Sequence, residues 1–237
     1  MTTTAEDLVA ATAALQAAAD AYNGKKQEID DRVNALIPTV NGTLFKALYI
    51  DAVNGDDANV GNSENPLQTL GAAAALTSNA GAYMIYLKSD VVVDQRLTFK
   101  GTSVFFGSDV LNTKRRMDFA NQIDGVLNYS PSLRAGNHFM NFAFRDIIFG
   151  NTTAAPHIVY KRMIEAQAFL NLDSWICEFD TQAGHDLPFV ATNAQVLLWM
   201  LSATIPAEQA GLWIDGVAAA TDPATVPNVI NTNLATL

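Results

Sequence analysis

Beyond Pro38 the chain is cut into short apolar runs, and this segmentation limits the available folds more than any other feature. The runs include Tyr83-Met84-Ile85-Tyr86-Leu87, Val91-Val92-Val93, Thr102-Ser103-Val104-Phe105-Phe106 and Gly125-Val126-Leu127-Asn128-Tyr129. Phe142-Ala143-Phe144, Ile147-Ile148-Phe149, Ala168-Phe169-Leu170-Asn171-Leu172, Trp175-Ile176-Cys177 and Val196-Leu197-Leu198-Trp199-Met200 follow. Gly, Asn, Asp, Ser and Pro separate them. Runs of about three to six β-branched and aromatic residues between turn signals read as strands. Few helical patterns interleave them, which argues against a doubly wound α/β sheet.

Spacing separates the two architectures that remain. Phe144-Arg145-Asp146-Ile147-Ile148-Phe149 resembles Leu172-Asp173-Ser174-Trp175-Ile176-Cys177, at an offset of roughly 28 residues, and a similar step reaches Met200-Leu201-Ser202. Repeats of this size stack to share one core. The expected body is therefore a β-solenoid, with a β-sandwich as the alternative.

The first segment obeys a different period. Leu8, Leu15, Tyr22, Ile29 and Leu36 are spaced seven apart. A strict seven-residue repeat keeps one seam facing a partner helix. The intervening seam positions Ala5, Thr12, Ala19, Lys26 and Val33 are mostly small or polar, so the seam is weak. Gly24 interrupts the run and Pro38 is expected to end it. The expected organisation is a helical stem over 1–37, a linker and entry segment over 38–82, a solenoid body over 83–216, and a tip or tail over 217–237; the resemblance given below implies that the stem attaches and trimerises the chain and that the entry segment caps the first coil.

Composition excludes several functions. The net charge is −10, so nucleic acid is repelled unless a basic patch is hidden. Lys114-Arg115-Arg116 and Lys161-Arg162 are too short for a binding stripe. No run approaches the ~18 apolar residues of a membrane span, and the N-terminus carries no secretion signal. The single cysteine, Cys177, rules out an internal disulfide framework. In a strand-like run it reads as a small buried apolar side chain.

The most specific stretch is Tyr49-Ile50-Asp51-Ala52-Val53-Asn54-Gly55-Asp56-Asp57-Ala58-Asn59-Val60-Gly61, followed by Pro66-Leu67-Gln68-Thr69-Leu70. A strand enters a loop whose residues satisfy their own backbone and tolerate positive φ. An Ala-rich helical turn follows, over 70–76. Asp51, Asn54, Asp56, Asp57 and Asn59 are hard oxygen donors, but the EF-hand spacing and its terminal Glu are missing. Turn chemistry accounts for them, and no metal or cofactor is expected.

This stretch, with Asp51, Gly55, Asp56, Asp57, Asn59, Gly61 and Pro66 as its marks, resembles the opening of right-handed parallel β-helix domains in phage tail fibres and tailspikes. The close resemblance covers residues 49–76. It implies a homotrimeric structural protein of a phage-like particle, made in the host cytoplasm. Such a protein docks baseplate or tail proteins through its N-terminus and meets a host surface glycan or receptor. The same opening occurs in polysaccharide-cleaving enzymes. A glycosidase needs two carboxyl groups about 5–9.5 Å apart, and Asp146, Asp173, Glu178 and Asp180 are the only candidates. A third reading is a glycan-binding module using Trp199 or Trp213. The chain contains no Gly-x-Ser-x-Gly, no His-Glu-x-x-His, no phosphate-binding glycine loop and no Cys-x-x-Cys. His138, His157 and His185 are scattered. No enzymatic activity is expected.

Overall fold

The computed structural model describes residues 4–79, 81–120, 131–151, 162–166, 168–180, 187–191 and 195–237. The chain divides into two compact units, Met1–Leu44 and Phe45–Leu237. The expected strand at 125–129, His157 and His185 lie outside the described residues, as does the side chain of Leu36.

The first unit is one helix, α1 (Ala5–Leu44). Thr4 starts it with a reciprocal cap. The Asp7 amide donates to Thr4 Oγ1 at 3.3 Å, and the Thr4 amide donates back to Asp7 Oδ2 at 3.0 Å. This pairing satisfies amides that the first helical turn leaves open. The side chains described, as far as Val33, are exposed on every face of the helix.

The expected coiled-coil stem is corrected on three counts. Among the described residues α1 is the only helix of seven or more residues, so its seam has no second helix to meet. Leu8, Leu15, Tyr22 and Ile29 stand open to solvent. The helical backbone also runs through Gly24 and Pro38 to Leu44 instead of ending at 37. Pro38 removes one backbone hydrogen bond, and the helix continues through Thr39, Val40, Asn41, Gly42 and Thr43, against their propensity rather than because of it.

The second unit is mostly β. In chain order its elements are β1 (Phe45–Ile50), α2 (Leu70–Ala75), β2 (Ala82–Leu87), β3 (Val91–Val93), β4 (Arg96–Phe99), β5 (Ser103–Ser108), β6 (Arg115–Phe119) and β7 (Ser132–Ala135). Then come β8 (Phe139–Arg145), β9 (Ile147–Asn151), β10 (Ile164–Glu165), β11 (Phe169–Trp175), β12 (Glu178–Asp180), β13 (Gln195–Leu201) and β14 (Val229–Thr232). A seven-stranded sheet runs β1-β2-β5-β8-β11-β13-β14, a four-stranded sheet β12-β9-β6-β3, and a three-stranded sheet β10-β7-β4.

The pairings within these sheets are parallel. An antiparallel sandwich is thereby excluded. The order, with later strands laid beside earlier ones in all three sheets, is compatible with a solenoid. The expected class of coiled-coil stem plus β-helix gives way to one lone helix and a body of parallel sheets. The spacing inferred from sequence was also two residues off. Phe144 lies opposite Ser174, and Leu172 lies opposite Phe142 and Leu198. A slip of two keeps each side chain on its face, so the inside–outside pattern survives the error.

The core lies between the three sheets. Phe99, Phe106, Phe142, Phe144, Phe149 and Phe189 are fully buried. Phe106 stacks on Phe144 at 5.1 Å, Phe144 meets Phe149 edge-on at 5.0 Å, and Phe149 stacks on Phe179 at 5.0 Å. Trp213 caps this aromatic column against Phe179 at 5.3 Å. Residues 217–237 also belong to the body. β14 extends the large sheet beside β13, and Leu237 is buried.

A repeated corner joins the seven-stranded to the four-stranded sheet. Asn112, Asp146, Ile176 and Ser202 have φ of 61°, 56°, 55° and 54°. This left-handed conformation reverses the chain direction sharply. Asn and Asp adopt it readily, whereas the β-branched Ile176 is strained there.

Candidate functional site

Four groups of residues compete for a functional role: the entry loop, the candidate carboxylates, the buried charges and the outer face of the large sheet. In the entry loop each acid is consumed by the backbone. Asp51 Oδ1 accepts from the amides of Val53 at 3.0 Å and Asn54 at 3.1 Å. Burial works against its charge, but bonds from Asn54, Val53 and Ser89 outweigh it and hold the carboxyl below its usual range. Asp56 Oδ1 accepts from the Ala58 amide at 2.9 Å.

Asp57 reaches furthest. Its carboxylate accepts from the amides of Gln68 and Thr69 at 2.9 and 2.8 Å and from Thr69 Oγ1 at 2.8 Å. Thr69 Oγ1 in turn accepts from the Ala72 amide and caps α2. Asn59 Nδ2 donates to the Pro66 carbonyl at 2.9 Å. Gly55 sits so close to this backbone that a Cβ would come within 2.3 Å of the Leu67 carbonyl oxygen, and Gly61 has φ of +79°. The motif is a structural clasp. Among the described residues no group of three or more His, Cys, Asp or Glu is arranged to hold a metal ion.

The four candidate carboxylates are drawn into different contacts. Glu178 and Asp180 lie on β12. Glu178 binds Lys114 at 2.9 Å, and Asp180 pairs with Arg116. The guanidinium of Arg116 also donates to Asp118 at 2.7 Å. It lies across Gly150, where a Cβ would come 2.3 Å from Nη2. These two acids are therefore neutralised within their own sheet.

Asp173 points outward from β11 opposite Ala143, three residues before Asp146. Three extended residues and one strand spacing put roughly 11 Å between their backbones. Asp146 is 3 % exposed at the corner. Burial raises the Asp173 carboxyl above its usual range, against a bond from Asn171. Cys177 is buried as its sequence context implies, and burial pushes its thiol up to about 12. It is no nucleophile at neutral pH.

Sequence reasoning missed a buried charge cluster. Glu165 is 5 % exposed; it accepts from Arg96 Nε at 3.1 Å and from Ser132 Oγ at 2.9 Å, and Arg162 Nε lies 3.3 Å away. A strand register brings β4, β7 and β10 together here, and no local sequence signal records it.

The outer face of the large sheet is unusually apolar. Tyr49 and Tyr86 stack at 5.1 Å, and Phe139 packs on Phe169 at 5.8 Å. Met84, Phe105 and Trp199 also face outward. Trp213, the other tryptophan proposed for ligand contact, is a core residue at 3 % exposure. Between the aromatic groups runs a polar ladder. Asn171 Nδ2 donates to Asn141 Oδ1 at 3.2 Å, and Asn141 Nδ2 donates to Ser103 Oγ at 3.3 Å. Among the described residues no helix is long and apolar enough to cross a membrane.

No family model, curated protein or solved structure matches this chain.

Proposed function

We propose that this chain is a non-enzymatic structural component of a tailed phage or phage-like particle, a short tail fibre or spike that takes part in adsorption to the host. One observation carries the reading. A body with its own closed aromatic core is joined to a helix whose described apolar side chains, Leu8 to Val33, are all exposed. A helix of that kind has nothing to bury against until it meets a partner. Baseplate or tail proteins are the partners assigned to it, and the chain as a whole is assigned to a homotrimer. The body suits a rigid spacer, because parallel strands with buried side chains leave little backbone free to move. The entry clasp, similar to the opening of tail-fibre β-helices, supports the same reading. The distribution of Asp146, Asp173, Glu178 and Asp180 favours a structural over a hydrolytic role.

Particle fractionation tests the proposal. Particles banded from a lysate of the producing cells should retain the chain, and gold-labelled antibody against the body should mark one end of the tail. Recovery of all the chain in the soluble fraction, with unlabelled particles, would refute it. Light scattering on the full chain should give three times the monomer mass; a monomer would refute the homotrimer.

A further inference from the structure

The outer face of the large sheet carries one acid without a counter-ion among the described residues. The strand register sets its outward side chains in rows. One row runs Met84, Phe105, Ala143, Asp173, Trp199 from β2 to β13. The next runs Tyr86, Gly107, Arg145, Trp175, Leu201. On β1, β2, β5, β8, β11 and β13 the only charged side chains on this face are Asp173 and Arg145.

These two charges are in different states. Arg145 is engaged at the corner, its Nε 3.6 Å from Asp146 Oδ2. Asp173 has one hydrogen bond among the described residues, from Asn171 Nδ2 to Oδ2 at 3.2 Å. The same amide group also donates to Asn141 Oδ1 at 3.2 Å, so both its protons are used. An ionised carboxylate offers about four acceptor positions, and here most stay open. Burial raises this carboxyl above its usual range. A charge drawn partly out of water with no cation beside it is costly, and a partner cation would relieve that cost.

The surroundings select the cation. Trp199 lies opposite Asp173 in register, and Trp175, 37 % exposed, is the next outward residue on β11. A guanidinium gives a carboxylate two parallel N–H donors and stacks on an indole face. Met84, Phe105 and Leu201 extend apolar surface around this point, which a free cation would leave uncovered. From β1 to β13 the face measures about 25 Å by 20 Å, or roughly 500 Å². A stable dimer buries about 800 Å² on each partner, and the one cation a second copy would bring on this face, Arg145, is already held by Asp146. We infer that this face docks an extended segment of a partner polypeptide, seating one arginine on Asp173 between Trp199 and Trp175 and apolar side chains on Met84, Phe105 and Leu201. The inference stands apart from the particle assignment, since it rests on this face alone.

Proton–nitrogen correlation NMR on the full chain tests it, read at the three tryptophan indole N–H signals. The probes are a capped leucine-arginine-leucine tripeptide, its glutamine and glutamate counterparts, and methylguanidinium. The arginine peptide should shift Trp199 and Trp175 saturably with millimolar affinity and leave the buried Trp213 in place. The glutamine peptide and methylguanidinium should each bind about tenfold more weakly or less, and the glutamate peptide not at all. Asp173→Asn should weaken the arginine peptide about tenfold or more, whereas Asp180→Asn, on the four-stranded sheet, should leave it unchanged. Melting curves confirm that both variants are folded. No shift with the arginine peptide, equal binding of the glutamine peptide, or binding that ignores Asp173→Asn would overturn the inference. Equal binding of methylguanidinium would make this a site for free cations, and a drop in light-scattering mass on Asp173→Asn would give the face to a second copy; either would overturn it too. None of these results touches the particle assignment, which is read by fractionation.

Discussion

Replacing Phe149 with alanine should be among the most damaging single changes in the body. Phe149 is fully buried and meets Phe144, Phe179 and Phe189, each at 5.0 Å. Removing the ring forfeits ~100 Å² of buried apolar surface, or ~2.5 kcal/mol at about 25 cal/mol/Å². The remaining hole of ~100 Å³ adds ~2.4 kcal/mol at about 24 cal/mol/Å³. The sum, about 5 kcal/mol, is a large part of the 5–15 kcal/mol that stabilises a typical domain. Urea denaturation followed by circular dichroism measures it: the midpoint should fall by about 2 M while the slope is retained. Phe139→Ala is the control, because that ring is 73 % exposed on the outer face; it should cost under about 1 kcal/mol. Equal losses for the two variants would refute the claim that an aromatic column holds the sheets together.

Glu165→Ala should destabilise by about 3–5 kcal/mol, because it removes a buried carboxylate that accepts from Arg96 and Ser132; thermal melting reads this, and a change below about 1 kcal/mol would refute it. Ile176→Gly should stabilise by about 1 kcal/mol by relieving the left-handed strain, whereas the same change at Ile148, in regular β9, should destabilise. Asp173→Asn should raise the melting temperature at pH 7 and not at pH 3. The folded-state carboxyl is raised, so stability falls as pH rises from the unfolded value through the folded one, and the amide avoids that loss. Cys177 should resist Ellman's reagent in the folded protein at pH 8 and react at once in denaturant.

The strands were readable because hydrophobic periodicity is local. The runs at 83–87, 103–106, 142–149, 169–172 and 196–200 coincide with β2, β5, β8 and β9, β11 and β13. Tertiary facts were not readable in the same way. The pairing of Asp173 with Ala143, rather than with a residue near Asp146, depends on how many residues each corner takes up. Ile176 occupies a corner that its β-branched side chain argues against, so propensity gave no warning. The heptad at Leu8 to Ile29 read as a seam, although a periodic stripe specifies only a face and not what meets it.

The parallel register has a mechanical consequence. The ladder bonds of all three sheets point along the direction in which strands succeed one another, so a pull along that line loads them in series. A chain of links in series yields at its weakest one. In the seven-stranded sheet that link is the β13–β14 joint, which has three residue pairs and a register slip between Val196 and Leu197. Under tension the C-terminal strand peels away first, and the column of phenylalanines beneath it is left intact.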